Sequence, residues 1–134
     1  MLKYKLPQLP NALFEELGWD YFVSPEGNEY LADEAVEISV AEREAFYEAG
    51  NRLYARFVET AEYVLENNLL PTLGIPPNLY ELIEYTWADE RHLHLYGRFD
   101  LAGGTDGLPI KMLEFNADTP TSVPETAIIQ WGQL

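Results

Sequence analysis

The chain has 134 residues, enough for one hydrophobic core, and 47% of them are hydrophobic, so a folded domain is expected. Its 23 acidic and 8 basic side chains give a formal net charge of −15. That charge disfavours nucleic acid and membrane surfaces and favours cationic partners such as metal ions or polyamines, although plain solvated surfaces can be equally acidic. The absence of cysteine excludes disulfides, thiolate metal sites and a cysteine nucleophile. With no signal-peptide pattern and no apolar run of about 20 residues, the sequence predicts a cytoplasmic protein.

The N-terminal region, residues 1–37, lacks a long helical period. Asn11 to Gly18 predicts a short helix, with Asn11 as its N-cap and Gly18 just past its end. The stretch WDYFVSPEGNEYLADEAVEIS that follows predicts turns and short extended pieces around a turn at Pro25–Asn28.

A long amphipathic helix is predicted next. Ser39 and Glu42 form the S-x-x-E pattern of a capping box, and apolar or small residues then recur at steps of three and four to about Asn67. A shorter helix is predicted from Pro77 or Asn78, with an inward face made of Leu79, Leu82, Ile83 and Trp87.

The C-terminal half predicts an antiparallel β-hairpin between about His92 and Asn116. Apolar and polar residues alternate from His92 to Leu101, which is the period of a half-buried strand. A glycine-rich turn at residues 103–107 leads into a returning strand from Ile110, and a further helix is expected from Glu125 to Trp131. Together these elements predict a single α+β domain in which the long helix packs on a sheet containing the hairpin.

Four polar residues of this hairpin form a candidate site. Arg98 and Asp100 share one strand face, and Glu114 and Asn116 share a face of the next strand. If directly opposed residues have an even sum of numbers, the two faces coincide; an odd sum separates them. In the even case two carboxylates, an amide and a guanidinium converge, a set that suits Mg²⁺ and a transferring phosphoryl group.

Spacing alone also permits a plain surface hairpin with one cross-strand salt bridge. The functional interpretation is favoured because Glu114 and Asn116 continue the face of Ile110 and Met112, where an apolar pattern turns polar. Two other patterns are weaker. His92 and His94 lack further soft ligands for zinc, and the glycine-rich turn joins two strands instead of opening a helix that would hold phosphate.

The sequence resembles the glutathionylspermidine synthase family. The resemblance rests on YGRFD, the glycine-rich loop and PIKMLEFNADTPTSVPETAIIQW, with looser agreement in GWDYFVSPEGNEYLADEA and LGIPPNLYELIEYTW upstream. It covers essentially the whole chain and implies a pre-ATP-grasp-like fold. It also implies an ATP- and Mg²⁺-dependent ligase that activates a peptide carboxylate as an acyl phosphate for attack by an amine. In that family the acid is glutathione-like and the amine is a polyamine or another amine.

The resemblance also assigns roles to residues of this chain. Asp100, Glu114 and Asn116 resemble the family's Mg²⁺ ligands, with Asp100 near the nucleotide, and Arg98 resembles the arginine that contacts the phosphoryl group. Thr119, Thr121 and Ser122 resemble part of the surface that receives the glutathione-like substrate. The family's ATP-grasp part, which holds most of the nucleotide site, has no counterpart in residues 1–134. We therefore expect the N-terminal part of a ligase, inactive alone; a stand-alone module that binds a metal, polyamine or protein is the alternative.

Overall fold

Among the described residues, the main elements are two helices of more than eight residues, one short helix and two small sheets. The computed structural model describes residues 2–7, 10–16, 18, 32–89, 91, 96–118 and 120–130. In chain order the main elements are β1 (Leu2–Lys5), α1 (Asn11–Glu16), β2 (Glu34–Glu37), α2 (Val40–Glu66), α3 (Tyr80–Ala88), β3 (Arg98–Ala102) and β4 (Lys111–Asn116). Short 3₁₀ turns at Leu70–Leu73 and Pro77–Leu79 precede α3, and a π-helical segment covers Glu125–Ile129. The predicted α+β class is confirmed.

The described elements group into two units, residues 1–40 with 121–134, and residues 41–120. In the first unit β1 pairs antiparallel with β2, with Leu2 opposite Glu37 and Lys5 opposite Glu34. The short helix is confirmed as α1, whose Phe14 is fully buried, and Gly18 beyond it adopts a left-handed φ of 67°. The predicted turn at residues 25–28 lies outside the described residues.

The second unit is built on α2, whose 27 residues confirm the predicted long helix to within a residue or two at each end. After Glu66 the chain turns at Asn68, a non-glycine residue with φ of 53°, a left-handed conformation that asparagine tolerates better than most residues. The two strands of the hairpin, β3 and β4, pair antiparallel with each other. The predicted strand residues 92–95 lie outside the described residues.

The inward face predicted for α3 is partly wrong. Leu82 and Trp87 are 56% and 45% exposed, and Leu79 is also exposed, whereas Ile83 is half-buried. Trp87 lines an open apolar groove of about 380 Å³ beside α2 and β4. The helical period correctly identified a common apolar face, but an apolar face is buried only where another element covers it.

Candidate metal centre on the hairpin

One face of the hairpin is apolar and packs on α2. Phe99 of β3 and Phe115 of β4 are directly opposed, and their rings stack with centroids 4.2 Å apart. Phe57 of α2 lies against both, at 6.0 Å from Phe99 and 4.8 Å from Phe115, and Tyr54 meets Phe115 edge to face at 6.4 Å. Because successive strand residues point to opposite faces, this packing turns the neighbouring residues of β3 and β4 away from α2.

The opposite face of the hairpin carries the four candidate residues. Arg98 lies opposite Asn116 and Asp100 lies opposite Glu114, so each pair of numbers sums to 214. The pairing sum is therefore even, the condition under which all four side chains share one face. Directly opposed residues in an antiparallel pair have Cβ atoms about 4.5–5.5 Å apart, so the Asp100 and Glu114 carboxylates are neighbours.

A β-bulge makes this register possible. Beyond Asp100 the pairing shifts, with Leu101 opposite Met112 and Ala102 opposite Lys111, so Leu113 is the extra residue on β4. The pairs near the turn sum to 213, and an unbroken ladder with that sum would place Asp100 opposite Leu113 and Glu114 opposite Phe99. The bulge thus brings Glu114 to the face of Asp100.

The bulge also corrects one argument from the sequence. Glu114 and Asn116 were expected to continue the face of Met112, but Met112 pairs with Leu101 and therefore lies on the other face. The extra residue reverses the alternation between Met112 and Glu114. The consecutive apolar pair Met112-Leu113 interrupts the two-residue period, and that interruption was a signal for the bulge that the sequence contained.

Arg98 and Asp100 form a two-pronged ion pair. The Arg98 Nε donates to Asp100 Oδ1 at 2.8 Å, and Arg98 Nη2 donates to Oδ2 at 3.2 Å. Asn116 Nδ2 also donates to Asp100 Oδ2, at 3.2 Å across the strands. With 32% and 36% of the two charged side chains exposed, the pair is partly shielded from water but open on one side. Asp100 is thus the point where the arginine, the amide and the second strand meet.

These contacts shift both ionisation equilibria in favour of the charged forms. Hydrogen bonds from Arg98 lower the pKa of the Asp100 carboxyl, against a smaller opposing effect of burial, and the Arg98 charge and the Asn116 amide lower it further. The hydrogen bond with Asp100 raises the pKa of Arg98, and the charge of Glu114 contributes in the same direction. Arg98 and Asp100 are therefore both charged near neutral pH.

The turn that joins the two strands is anchored on the first turns of α2. Glu42 Oε1 accepts a hydrogen bond from the backbone N–H of Asp106 at 3.0 Å. One helical turn further on, the Phe46 ring lies so close to Gly104 that a Cβ atom on Gly104 would be 2.3 Å from Phe46 Cζ. With a φ of 81°, Gly104 also has a backbone conformation that favours glycine. The helix thus fixes the hairpin at its turn as well as along its strands.

The donor set of this face suits a hard divalent cation. Asp100 and Glu114 supply carboxylate oxygens, and Asn116, which donates through Nδ2, has a separate amide oxygen on the same face. Within the described ranges no three His, Cys, Asp or Glu side chains cluster with metal-binding geometry. Two carboxylates and one amide make an incomplete coordination sphere, as expected of Mg²⁺ that also binds water and substrate phosphates.

The predicted substrate-binding residues have different outcomes. Thr119 lies outside the described residues, as do His92 and His94. Thr121 is exposed and Ser122 is half-buried in the unit formed by residues 1–40 and 121–134. Ser122 has a φ of 77°, unusual for a residue with a side chain, and its carbonyl accepts hydrogen bonds from the Thr126 N–H and hydroxyl at 3.1 and 2.8 Å. Their role in substrate binding stays a prediction.

Comparison with known proteins identifies the class to which this chain belongs. The sequence matches the family described as "Glutathionylspermidine synthase preATP-grasp" over residues 1–134. The chain belongs to this family, as the motif around Glu114 predicted.

No helix within the described ranges has the length and apolar character that crossing a membrane requires.

Individual relatives are named as ligases or synthetases. A provisionally named acid–amine ligase of Haemophilus influenzae is 35% identical over 121 residues, which is 88% of this chain and 30% of that protein. The bifunctional glutathionylspermidine synthetase/amidase of Escherichia coli is 28% identical over 72% of the chain and 16% of its own length. A trypanothione synthetase of Crithidia fasciculata is 29% identical over 63% of the chain and 13% of its own length. The chain thus spans less than a third of the length of these relatives.

Proposed function

We propose that this chain is the N-terminal part of an ATP- and Mg²⁺-dependent ligase that joins a peptide carboxylate to an amine. The observation that carries the proposal is the register of the hairpin, in which Asp100 lies opposite Glu114 and Arg98 lies opposite Asn116 on the face turned away from α2. Membership of the family and the names of the relatives support the reaction class. Glutathione or a similar peptide is the proposed acid, and a polyamine or another amine is the proposed nucleophile.

In this proposal Asp100, Glu114 and Asn116 hold the cation through their oxygens. When bound, Mg²⁺ neutralises phosphate charge and stabilises the charge that develops as the phosphoryl group is transferred to the acid. Arg98 provides a planar fork of N–H donors that matches a phosphoryl group, and its fixed charge acts where negative charge accumulates. The ring stack of Phe99 and Phe115 beneath these residues holds them in place.

The surface charge agrees with the proposed amine substrate. With 23 acidic and 8 basic side chains, the chain attracts polycations, and long-range attraction raises the rate at which a charged substrate arrives. The same charge repels free nucleotide, so the proposal assigns ATP to a cation-bridged complex and places most of its contacts in ATP-grasp residues outside residues 1–134.

The test is ATP-dependent amide formation by the complete product of the gene that encodes this chain. Sequencing past Leu134 shows whether ATP-grasp residues follow, and the purified product is then assayed with glutathione and spermidine, measuring ADP and conjugate together. The proposal predicts equal amounts of ADP and conjugate, with no conjugate from residues 1–134 alone. A gene that ends at Leu134 would contradict it and favour a stand-alone binding module.

A further inference from the structure

We propose that the Arg98–Asp100 ion pair hinders cation binding at the metal site, and that a phosphate group must separate the two side chains before a divalent cation binds tightly. We call this closed ion pair the latch. This inference rests on the proposed function, because it concerns how the same site is regulated. It predicts that cation and phosphate bind cooperatively at the hairpin, and that Arg98 is the residue that couples them.

The first support is that Asp100 is already engaged. Its Oδ1 accepts from Arg98 Nε at 2.8 Å, and its Oδ2 accepts from Arg98 Nη2 and from Asn116 Nδ2, both at 3.2 Å. A carboxylate has about four lone-pair positions, so three donors use most of its capacity. A cation that approaches Asp100 must displace a donor or bind beside the guanidinium charge, and like charges at that range oppose each other.

The second support is the charge of the site. Two carboxylates, Asp100 and Glu114, and one guanidinium, Arg98, sum to −1 while the pair is closed. If the guanidinium turns away, the two carboxylates present −2 to the cation. About a third of each side chain is exposed, so the pair is partly shielded from water. The difference in electrostatic attraction for the cation between the closed and open pair is therefore larger than it would be in open water.

The third support is that phosphate satisfies both partners at once. A guanidinium binds phosphate through two parallel N–H···O bonds, so the released Arg98 gains a partner equivalent to the one it gives up. Phosphate oxygens are also customary ligands of Mg²⁺, so the same group completes the coordination sphere. Because linkage is reciprocal, phosphate must tighten cation binding by the factor by which the cation tightens phosphate binding.

The chain contains a matched pair for comparison. Arg91 and Asp89, also two residues apart, form a similar ion pair. The Arg91 Nε donates to Asp89 Oδ1 at 2.9 Å and to Oδ2 at 3.1 Å, and Arg91 Nη2 donates to Oδ2 at 2.6 Å. Arg91 is 81% exposed, and the pair lies just beyond α3. Arg91→Gln removes one positive charge from a similar fork at another place on the chain, so it measures the effect of net charge alone.

The experiment measures Mn²⁺ binding to the 134-residue chain, with Mn²⁺ as the probe for Mg²⁺ and free Mn²⁺ followed by electron paramagnetic resonance. Arg98→Gln should tighten binding about tenfold, since a charge-assisted hydrogen bond of ordinary strength no longer has to be broken. Arg91→Gln should change it by less than about twofold, as a surface charge in salt does. Inorganic phosphate, corrected for its own Mn²⁺ binding, should tighten wild type but not Arg98→Gln.

The possible results separate the latch from the site. Equal Mn²⁺ affinities for Arg98→Gln and Arg91→Gln would overturn the latch, and the proposed site would survive if Glu114→Gln weakened binding in wild type. If Glu114→Gln had no effect in either wild type or Arg98→Gln, the metal site itself would fail. Circular dichroism checks folding, and if Arg98→Gln does not fold, Arg98→Lys replaces it. Lysine keeps the charge without the fork, so the latch predicts an intermediate affinity, and wild-type affinity would overturn it.

Discussion

The two faces of the β3–β4 hairpin differ in what holds them. On one face Phe99 and Phe115 stack on each other and pack against the tilted ring of Phe57 of α2, with ring centroids 4.2–6.0 Å apart. On the other face Arg98 and Asp100 make a partly exposed ion pair across from Glu114 and Asn116. Apolar burial is worth far more to folding than exposed charge pairs, which contribute little. We infer that the aromatic face stabilises the hairpin, whereas the residues of the polar face contribute little to folding and are available for a role in catalysis.

The largest effect on stability is expected from the aromatic face. Phe115→Ala removes a ring that contacts Phe99, Phe57 and Tyr54. It should lower the free energy of unfolding by about 3 kcal/mol. This value is at the low end of the range for fully buried phenylalanines, because Phe115 is half-buried. Glu114→Gln, one residue away on the other face, should change it by less than about 0.5 kcal/mol. Urea denaturation measures the free energy of unfolding of both variants, and equal losses would contradict the expected difference between the two faces.

A smaller effect is expected where the hairpin turn meets α2. Gly104→Ala places a methyl group 2.3 Å from Phe46 Cζ and 2.9 Å from Ile110 Cγ1, at a φ of 81°. We expect a loss of about 2 kcal/mol, part from the left-handed backbone and part from displacing the ring. Gly107→Ala is the matched control, since its φ is 75° but nothing lies within 4 Å of the added atom, and it should cost about 1 kcal/mol. If both variants lost the same amount, the anchor to Phe46 would contribute nothing.

The smallest effect is expected from the ion pair on the polar face, and it depends on pH. Hydrogen bonds from Arg98 lower the pKa of folded Asp100 below its ordinary value of 3.8. Because the pKa of Asp100 is lower in the folded chain than in the unfolded chain, the ion pair stabilises the fold at pH values above the pKa of the unfolded chain. This stabilisation is lost as the pH falls through the pKa of the folded chain. The difference in unfolding free energy between wild type and Asp100→Asn should therefore shrink below about pH 4. Urea denaturation at several pH values measures it, and a difference that grew on acidification would contradict the pairing.

Local signals in the sequence were sufficient for several elements. The capping pattern and the steps of three and four located α2, and the two-residue alternation with the glycine-rich turn located the hairpin and its polar residues. β1 was missed, although LKYK alternates, because four residues with one alternation are ambiguous and the partner strand lies some thirty residues away.

Features that depend on distant contacts were beyond local patterns. The sequence left open whether opposed residues of the hairpin have an even or an odd sum of numbers. The apolar pair Met112-Leu113 indicates where the alternation breaks, but the pairing on each side of the bulge, with sums of 213 and 214, depends on contacts with the other strand. Exposure of Leu82 and Trp87 could not be predicted either, since periodicity identifies an apolar face and gives no information about what covers it.

The central claim is that the polar face of the hairpin carries chemistry and contributes little to folding. The most direct measurement compares Glu114→Gln with Glu62→Gln, an exposed position on α2, in the complete gene product. Both kcat for ATP-dependent amide formation and the free energy of unfolding are measured. The account predicts that Glu114→Gln lowers kcat about 100-fold or more with unfolding unchanged, and that Glu62→Gln alters neither. Amide formation by Glu114→Gln within about twofold of wild type would contradict it, because loss of a metal ligand cannot be that small.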